Sequence, residues 1–268
     1  MRSSDDLMRV TQLLRLWLGT GGHMLLIADY DGTLTPIVSD PADAQLTADV
    51  RADLQALSRS RWARLAVISG RDLADVRARV AVADAIYAGC HGLEIAGPGL
   101  RFSHPDAEAQ EDRLRAVSLA LCLGAPFVEG MRVEPKRLGV AIHYRHVAAS
   151  AQKTVQAMLA RSLLRRGGAF KVFHGTKVIE ILPHVAWNKG RCAQWIRDRI
   201  VGARPRPTIA LYMGDDWTDE QVFEALAGEA VTIRVGNGVP ASRARFQFAD
   251  VGRVHRLLSS LVAVGAAA

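Results

Sequence analysis

Five stretches of the chain are apolar almost without interruption: residues 23–30 (HMLLIADY), 62–70 (WARLAVISG), 85–92 (AIYAGCHG), 208–216 (TIALYMGDD) and 230–237 (AVTIRVGN). None alternates in the way of a strand with one wet face. Continuous apolarity over a strand length marks strands covered on both sides, as in parallel sheets. After the first, second and fourth runs come apolar residues at helical spacing, in LTADVRADLQALSRS, RDLADVRARVAVA and DEQVFEALAG. Strand then helix, repeated, predicts an α/β fold with a doubly wound, mostly parallel, Rossmann-like sheet.

Residues 102–182 break that rhythm and read helix, hairpin, helix, hairpin. DAEAQEDRLRAVSLALCLG predicts one amphipathic helix and SAQKTVQAMLARSLLRR a second. MRVEPKRLGVAIHYRHV predicts two strands about a turn at Arg137-Leu138-Gly139, and FKVFHGTKVIEILP two more turning near Gly175. These strands alternate, as antiparallel strands with one solvated face do. The expected organisation is a core of residues 1–102 and 183–268 with an α+β domain, residues 103–182, inserted into it.

Composition narrows the classes. The chain of 268 residues is 49% hydrophobic and 23% charged, which is globular rather than disordered. No apolar run nears the ~20 residues that span a bilayer, and MRSSDDLMRV lacks the form of a signal peptide. Cys90, Cys122 and Cys192 are odd in number and far apart, which fits reduced thiols. A cytoplasmic protein with no membrane partner is the expectation. The net charge of +7 raises the question of nucleic acid. Its arginines are scattered, however, with Arg165-Arg166 the densest cluster beside an apolar segment. That pattern argues against a nucleic-acid partner and fits an anionic small substrate.

The chemistry gathers where the apolar runs stop. The runs end in Asp29-Tyr30-Asp31, Ser69-Gly70-Arg71, Gly89-Cys90-His91-Gly92 and Gly214-Asp215-Asp216. Open parallel sheets bind ligands at the carboxyl ends of their strands, so these distant segments should converge. Asp29 and Asp31, two apart on extended chain, should point the same way and repel. Asp215 adds another carboxylate, with Asp216 and Asp219 nearby. So much acid predicts a site for a hard cation such as Mg²⁺. Lys189, in WNKG, and Ser69 with its neighbouring backbone N–H groups would offset the acid and receive phosphate oxygens. The implied reaction class is phosphoryl transfer through an aspartyl phosphate.

In order, DYDGT, SGR, the lysine of NKG and GDDWTDE resemble the four motifs of the haloacid-dehalogenase-like phosphohydrolases, whose cap domain the insertion resembles. More narrowly, LIADYDGTLTPI, GCHGLEI, VEPKRLGVAIHYR, GTKVIEILP, WNKG and GDDWTDE resemble the trehalose-6-phosphate phosphatase family. Cys90 departs from the pattern, since that family more often has asparagine in GNHG.

The resemblance implies roles. Asp29 is the nucleophile. Asp31 protonates the leaving sugar oxygen and then deprotonates water. Mg²⁺ is held by Asp29, the backbone carbonyl of Asp31, and Asp215. Lys189 and Ser69 stabilise the phosphate, beside Gly70 and Arg71. Asp216 and Asp219 act from behind, Asp219 orienting Lys189 or a metal-bound water. His91, Gly92 and Glu94 in the core, and Glu134, Lys136, Arg145 and Glu180 in the cap, contact the substrate, with His143 near them. The implied substrate is trehalose 6-phosphate, with a functional link to a trehalose-phosphate synthase. Other phosphosugars, such as sucrose phosphate or mannosyl phosphoglycerate, fit the same core motifs, and a non-catalytic sugar-phosphate-binding protein is the reading from another class.

Overall fold

In the computed structural model, which describes residues 2–164, 168–175, 177–202, 206–237 and 241–266, all five apolar runs become neighbouring strands of one sheet. Arg165 and Arg166 lie outside the described residues. The chain begins with α1 (Arg2–Gly19), β1 (His23–Ala28), α2 (Ala48–Arg59), β2 (Ala63–Ile68), α3 (Leu73–Val80), β3 (Ile86–Gly89), β4 (Glu94–Gly97) and β5 (Leu100–Ser103). There follow α4 (Pro105–Glu108), α5 (Glu111–Gly124), β6 (Arg132–Lys136), β7 (Gly139–His143), α6 (Gln152–Leu163), β8 (Phe170–Gly175) and β9 (Val178–Pro183). The chain then runs through α7 (Lys189–Gly202), β10 (Thr208–Gly214), α8 (Trp217–Ala225), β11 (Ala230–Val235), β12 (Phe246–Phe248) and α9 (Val251–Ala266). By contact it divides into two units, Met1–Arg101 with Trp187–Ala268, and Phe102–Ala186.

The first unit is built on a sheet of order β12-β11-β10-β1-β2-β3-β4-β5. It is parallel from β12 to β3, and β4 returns antiparallel to β3. β1 lies centrally, with Leu26 opposite Leu65 on one side and Leu211 on the other. Burial on both faces is what its unbroken apolar run required. Strand order reverses about β1, so the carboxyl ends of β1, β2 and β10 flank the switch point where such folds bind ligands.

Two helices that the continuous apolar runs do not reveal, α1 and α9, join α2 and α3 in closing one face of the sheet. Val10 and Leu14 of α1, and Val254, Leu257, Leu258 and Leu261 of α9, are fully buried in the same core as Met24, Leu26 and Leu65. Their helical spacing is the ordinary amphipathic signal. The strands β4, β5 and β12 have only three or four residues each, too few to express a period.

The second unit is a four-stranded antiparallel sheet, order β6-β7-β9-β8, covered on one face by α5 and α6. Val140, Ile142, Ile179 and Ile181 meet Leu114, Val117 and Leu121 of α5 and Val155 and Leu159 of α6 in one cluster. The single helix expected over residues 106–124 is instead two. Gln110 leaves helical geometry (φ −99°, ψ 0°) between α4 and α5, and Ala107 buries separately from the Leu114–Val117–Leu121 stripe. A solvated face was also expected of every strand here, yet β7 is buried from Gly139 to Ile142. The reason is size: long side chains on its neighbours reach across Gly139 and Ala141. No helix among the described residues is long and apolar enough to cross a membrane.

Candidate active site

Asp29 follows β1 directly, and its backbone N–H donates to Met213 O of β10 at 2.9 Å. That bond carries the sheet one residue past the strand and leaves the carboxylate at the switch point, 5% exposed. Tyr30 is fully buried, with its hydroxyl on Ala44 O at 3.0 Å. Gly32 has φ +81° and lies so close to the Asp215 carboxylate that a Cβ there would collide with it. The DYDGT turn therefore needs glycine for both conformation and space. Thr33 Oγ1 donates to Asp215 Oδ1 at 3.4 Å.

Lys189 comes from α7, 160 residues away. Asn188 starts that helix by accepting from Arg191 N at 2.9 Å, which places Lys189 at its first position. Gly190 follows because a Cβ there would strike Gln221 O of α8. The lysine side chain is 2% exposed, and its Nζ donates to Asp29 Oδ1 at 2.7 Å and to Asp219 Oδ1 at 2.5 Å.

Asp219 is the most engaged of the acids. Besides Lys189, it accepts from Tyr212 OH at 2.5 Å and from the backbone N–H groups of Asp215 and Asp216 at 2.8 and 2.9 Å. Asp216 is the N-cap of α8 and shares a capping box with Asp219. Gly214 is obligatory since a Cβ would meet the Asp219 carboxylate. Gly214, Asp216 and Asp219 thus each have a job, with Asp215 left facing Asp29. Arg234 of β11, 4% exposed and opposite Gly214 in the register, donates to Asp216 O at 3.1 Å and to Glu220 at 3.3 Å.

The electrostatics follow from crowding. Burial raises the Asp29 carboxyl well above the ordinary value; the Lys189 ammonium opposes the rise, while Asp219 and Asp215 add to it. Burial works against the Lys189 ammonium too, but Asp219 and Asp29 outweigh it and its pKa is raised. Burial and Asp219 push Asp215 up to about 7. Three carboxylates against one ammonium is an arrangement that a cation relieves.

Oxygen atoms of Asp29, Asp215 and Asp219 lie within 4.8 Å of one another. Asp219 is spent on Lys189, Tyr212 and two N–H groups, so Asp29 and Asp215 are the donors this set offers. An all-oxygen, doubly anionic donor pair fits a hard divalent ion.

The structure separates the two aspartates of DYDGT. A close Asp29–Asp31 pair sharing a cation was expected; instead Asp31 gives both oxygens to Arg71, at 2.7 Å from Nε and 2.6 Å from Nη2. Its carboxylate is absent from the acidic cluster. Arg71 also donates to Asp75 at 2.9 Å and Pro41 O at 2.8 Å and sits over the Tyr30 ring at 5.3 Å. Burial disfavours the guanidinium charge, but bonds to Asp31 and Asp75 more than restore it.

Ser69 follows β2, 1% exposed, with Oγ accepting from Arg71 N at 3.1 Å. Gly70 lies between them. This loop is bolted to the next one: Cys90 N donates to Arg71 O at 2.7 Å and His91 N to Ser69 O at 2.9 Å. Cys90, His91 and Gly92 are all left-handed, at φ 48°, 57° and 91°. Trp187 Nε1 holds Gly92 O at 2.9 Å, and Cys192 packs where a Gly92 side chain would stand. Glu94 opens β4, 7% exposed, with an oxygen within 4.8 Å of Cys90 Sγ and of Asp72. Asp29, Lys189, Asp215 and Asp219 come together directly, and Asp31, Ser69 and Arg71 form the adjoining group. Sequence reasoning missed Tyr212 and Arg234, which sit inside apolar strands and read as core.

The predicted cap residues all lie in the second unit. Glu134 Oε2 accepts from His143 Nε2 at 2.8 Å, and Lys136 donates to Glu180 at 2.8 Å. Arg145 is exposed in the turn after β7.

Comparison with known proteins places these features in context. A family model described as Trehalose-phosphatase matches residues 27–249. A trehalose-phosphate phosphatase of Mycobacterium ulcerans (strain Agy99) is 37% identical over 245 residues, which is 88% of this chain and 62% of that protein. The chain thus spans about three fifths of the length of that relative. Among solved structures, a trehalose-6-phosphate phosphatase related protein superposes with a TM-score of 0.77 at 24% identity, covering 91% of this chain and 99% of that one. The C-terminal domain of the trehalose-6-phosphate phosphatase of C. albicans gives 0.75 at 23% identity, covering 94% and 96%. At such identities the structural likeness speaks for the fold.

Proposed function

The chain belongs to the trehalose-phosphatase family, and on that premise we propose that it hydrolyses trehalose 6-phosphate to trehalose and phosphate, a step of trehalose biosynthesis, through a phosphorylated Asp29. The observation that carries this reading is the buried Asp29 carboxylate, held at 2.7 Å by Lys189 and facing Asp215. Such a carboxylate is oriented and desolvated, as a nucleophile must be.

An Asp29 oxygen attacks phosphorus, and the new oxygen–phosphorus bond forms as the bond to the sugar oxygen breaks. Asp31 passes its proton to that oxygen and is left ionised. The same carboxylate then takes a proton from the water that attacks the aspartyl phosphate, which frees phosphate and restores Asp29. Arg71 holds both Asp31 oxygens, so each transfer requires one oxygen to leave the guanidinium. Asp31 has room for this, with its side chain 41% exposed. Lys189 neutralises Asp29 and the phosphoryl oxygens, and the Ser69 hydroxyl with the Gly70–Arg71 backbone receives the phosphate. Asp219, fixed from four sides, orients Lys189. Mg²⁺, held by Asp29, Asp215 and the Asp31 carbonyl, supplies positive charge to the phosphoryl group when bound.

Glu134, Lys136, Arg145 and Glu180 of the cap, and His91, Gly92 and Glu94 of the core, take the sugar hydroxyls. Dispersed thiols fit a cytoplasmic enzyme, linked functionally to a trehalose-phosphate synthase. The test is phosphate release from a panel of phosphosugars, with Mg²⁺ and with chelator. Preference for trehalose 6-phosphate that vanishes with chelator is expected. Equal turnover of unrelated phosphosugars refutes the specificity, and metal-independent turnover refutes the mechanism.

A further inference from the structure

The second unit carries a cross-strand row that goes beyond the predicted sugar ligands. Glu134 of β6 pairs with Ala141 of β7, Ala141 with Glu180 of β9, and Glu180 with Phe173 of β8. Directly paired residues share a face, so all four point to the same side. It is the side away from α5 and α6: Val172, the neighbour of Phe173, packs against the helix-facing cluster with Ile179 and Ile181. The row spans four strands, about 14 Å from end to end at ~4.8 Å per strand. That is enough for two linked sugar rings.

Gly139 and Ala141, the smallest residues of this face, are buried beneath their neighbours. Lys136 reaches over them to Glu180 at 2.8 Å, and Glu134 meets His143 at 2.8 Å. The face therefore carries charged hydrogen-bonding groups along the row. Phe173 stands at its outer end on the edge strand, half-buried. Sugars have two chemistries: hydroxyl rims that suit carboxylates and ammonium groups, and C–H faces that suit an aromatic ring. Charged groups on this face answer the first, and Phe173 is the aromatic in the row that answers the second.

We propose that Phe173 is a substrate-contacting residue that stacks against a sugar ring of the phosphosugar, and so selects for a ring-bearing leaving group. The inference rests on the phosphosugar phosphatase reading. The ring adds affinity for the sugar and takes no part in phosphoryl transfer, so its loss must separate binding from chemistry.

The experiment compares Phe173→Ala, Phe173→Leu and Phe173→Tyr with the wild-type chain, using the phosphosugar that the wild type prefers and, in parallel, p-nitrophenyl phosphate. Phe173→Ala is expected to raise KM for the phosphosugar about five- to tenfold, with kcat changed less than about twofold. Kinetics on p-nitrophenyl phosphate, whose leaving group lacks the sugar, should stay at wild-type values. Phe173→Tyr keeps the ring and should keep KM, whereas Phe173→Leu keeps apolar bulk and should resemble Phe173→Ala. An unchanged phosphosugar KM in Phe173→Ala overturns the proposal, as does full retention by Phe173→Leu or a parallel fall on both substrates. A wild type that prefers another phosphosugar refutes the trehalose assignment and leaves the Phe173 test to be run on that sugar. A wild type that releases phosphate from no phosphosugar refutes both.

Discussion

Arg71 closes on Asp31 with two parallel hydrogen bonds, 2.7 Å from Nε and 2.6 Å from Nη2, across 40 residues of sequence. The same guanidinium reaches Asp75 and Pro41 O, so the loop after β1 and the start of α3 are tied to one side chain. This fork also sets the direction of the one carboxylate proposed to move a proton.

Lysine cannot reproduce a planar fork. Arg71→Lys is therefore expected to lower kcat about ten- to hundredfold, at or below the low end of the ~10²- to 10⁴-fold that a positioned acid–base group contributes. Mg²⁺ affinity should hold, because the Asp29–Asp215 pair does not use Arg71. Wild-type kcat in this variant would show that Asp31 needs no fork.

Asp29→Asn should abolish phosphate release, by ~10⁴-fold or more as for other nucleophile deletions. The fold should persist, because Lys189 keeps its bond to Asp219 at 2.5 Å and one of the crowded acids is gone. Circular dichroism and phosphate release together check this; substantial residual turnover excludes Asp29 as nucleophile.

Metal binding should depend on pH through Asp215. Burial and Asp219 raise its carboxyl to about 7 in the metal-free protein. A divalent ion needs the ionised form, so the Asp215 contribution to affinity is present above about 7 and weakens as pH falls below it, by up to about tenfold per unit. In the metal-free protein the raised pKa has the opposite consequence: ionised Asp215 is a burden above about 7 that protonation relieves at lower pH. Calorimetric titration with Mg²⁺ between pH 6 and 8.5 should show proton release only on the acid side. Constant affinity across that range contradicts the assignment of Asp215 as a ligand.

Tyr212→Phe removes a 2.5 Å bond to the buried Asp219 carboxylate and changes little else in shape. A loss of about 1.5–3 kcal/mol in urea unfolding is expected, the cost of deleting a bond to a charged group. A change below about 0.5 kcal/mol would mean that the tyrosine hydroxyl contributes nothing to holding Asp219.

Cys90 sits at φ 48°, a conformation that costs a non-glycine residue and that asparagine tolerates better. Carboxylate oxygens of Asp72 and Glu94 within 4.8 Å of Cys90 Sγ would accept from an amide there. Cys90→Asn should then raise stability by about 0.5–1 kcal/mol, read as a higher Tm with kcat unchanged. A lower Tm would indicate that the buried amide finds no partner.

Much of the fold was legible because burial on both faces leaves a one-dimensional trace. Leu25, Leu26, Ile27 and Ala28 had to be continuous once β1 lay between two strands and under helices on both sides. The acids were legible for a related reason, since Asp29 and Asp215 interrupt such runs abruptly. The short strands β4, β5 and β12 left no period to read. The break at Gln110 carries no proline or glycine to announce it.

What the chain order determined, then, was which residues end the strands: Asp29, Asp31, Ser69 and Asp215 stand there by local pattern, and Asn188, Lys189 and Gly190 start a helix by local rules. What only the tertiary structure decided was who meets whom. Asp31 went to Arg71 and away from Asp29, Lys189 met Asp29 together with the Asp219 already expected beside it, and Tyr212 left the ranks of core residues to hold Asp219. Those partnerships span up to 160 residues, and they are set by strand order and helix packing, which bring side chains together at distances that no local spacing encodes.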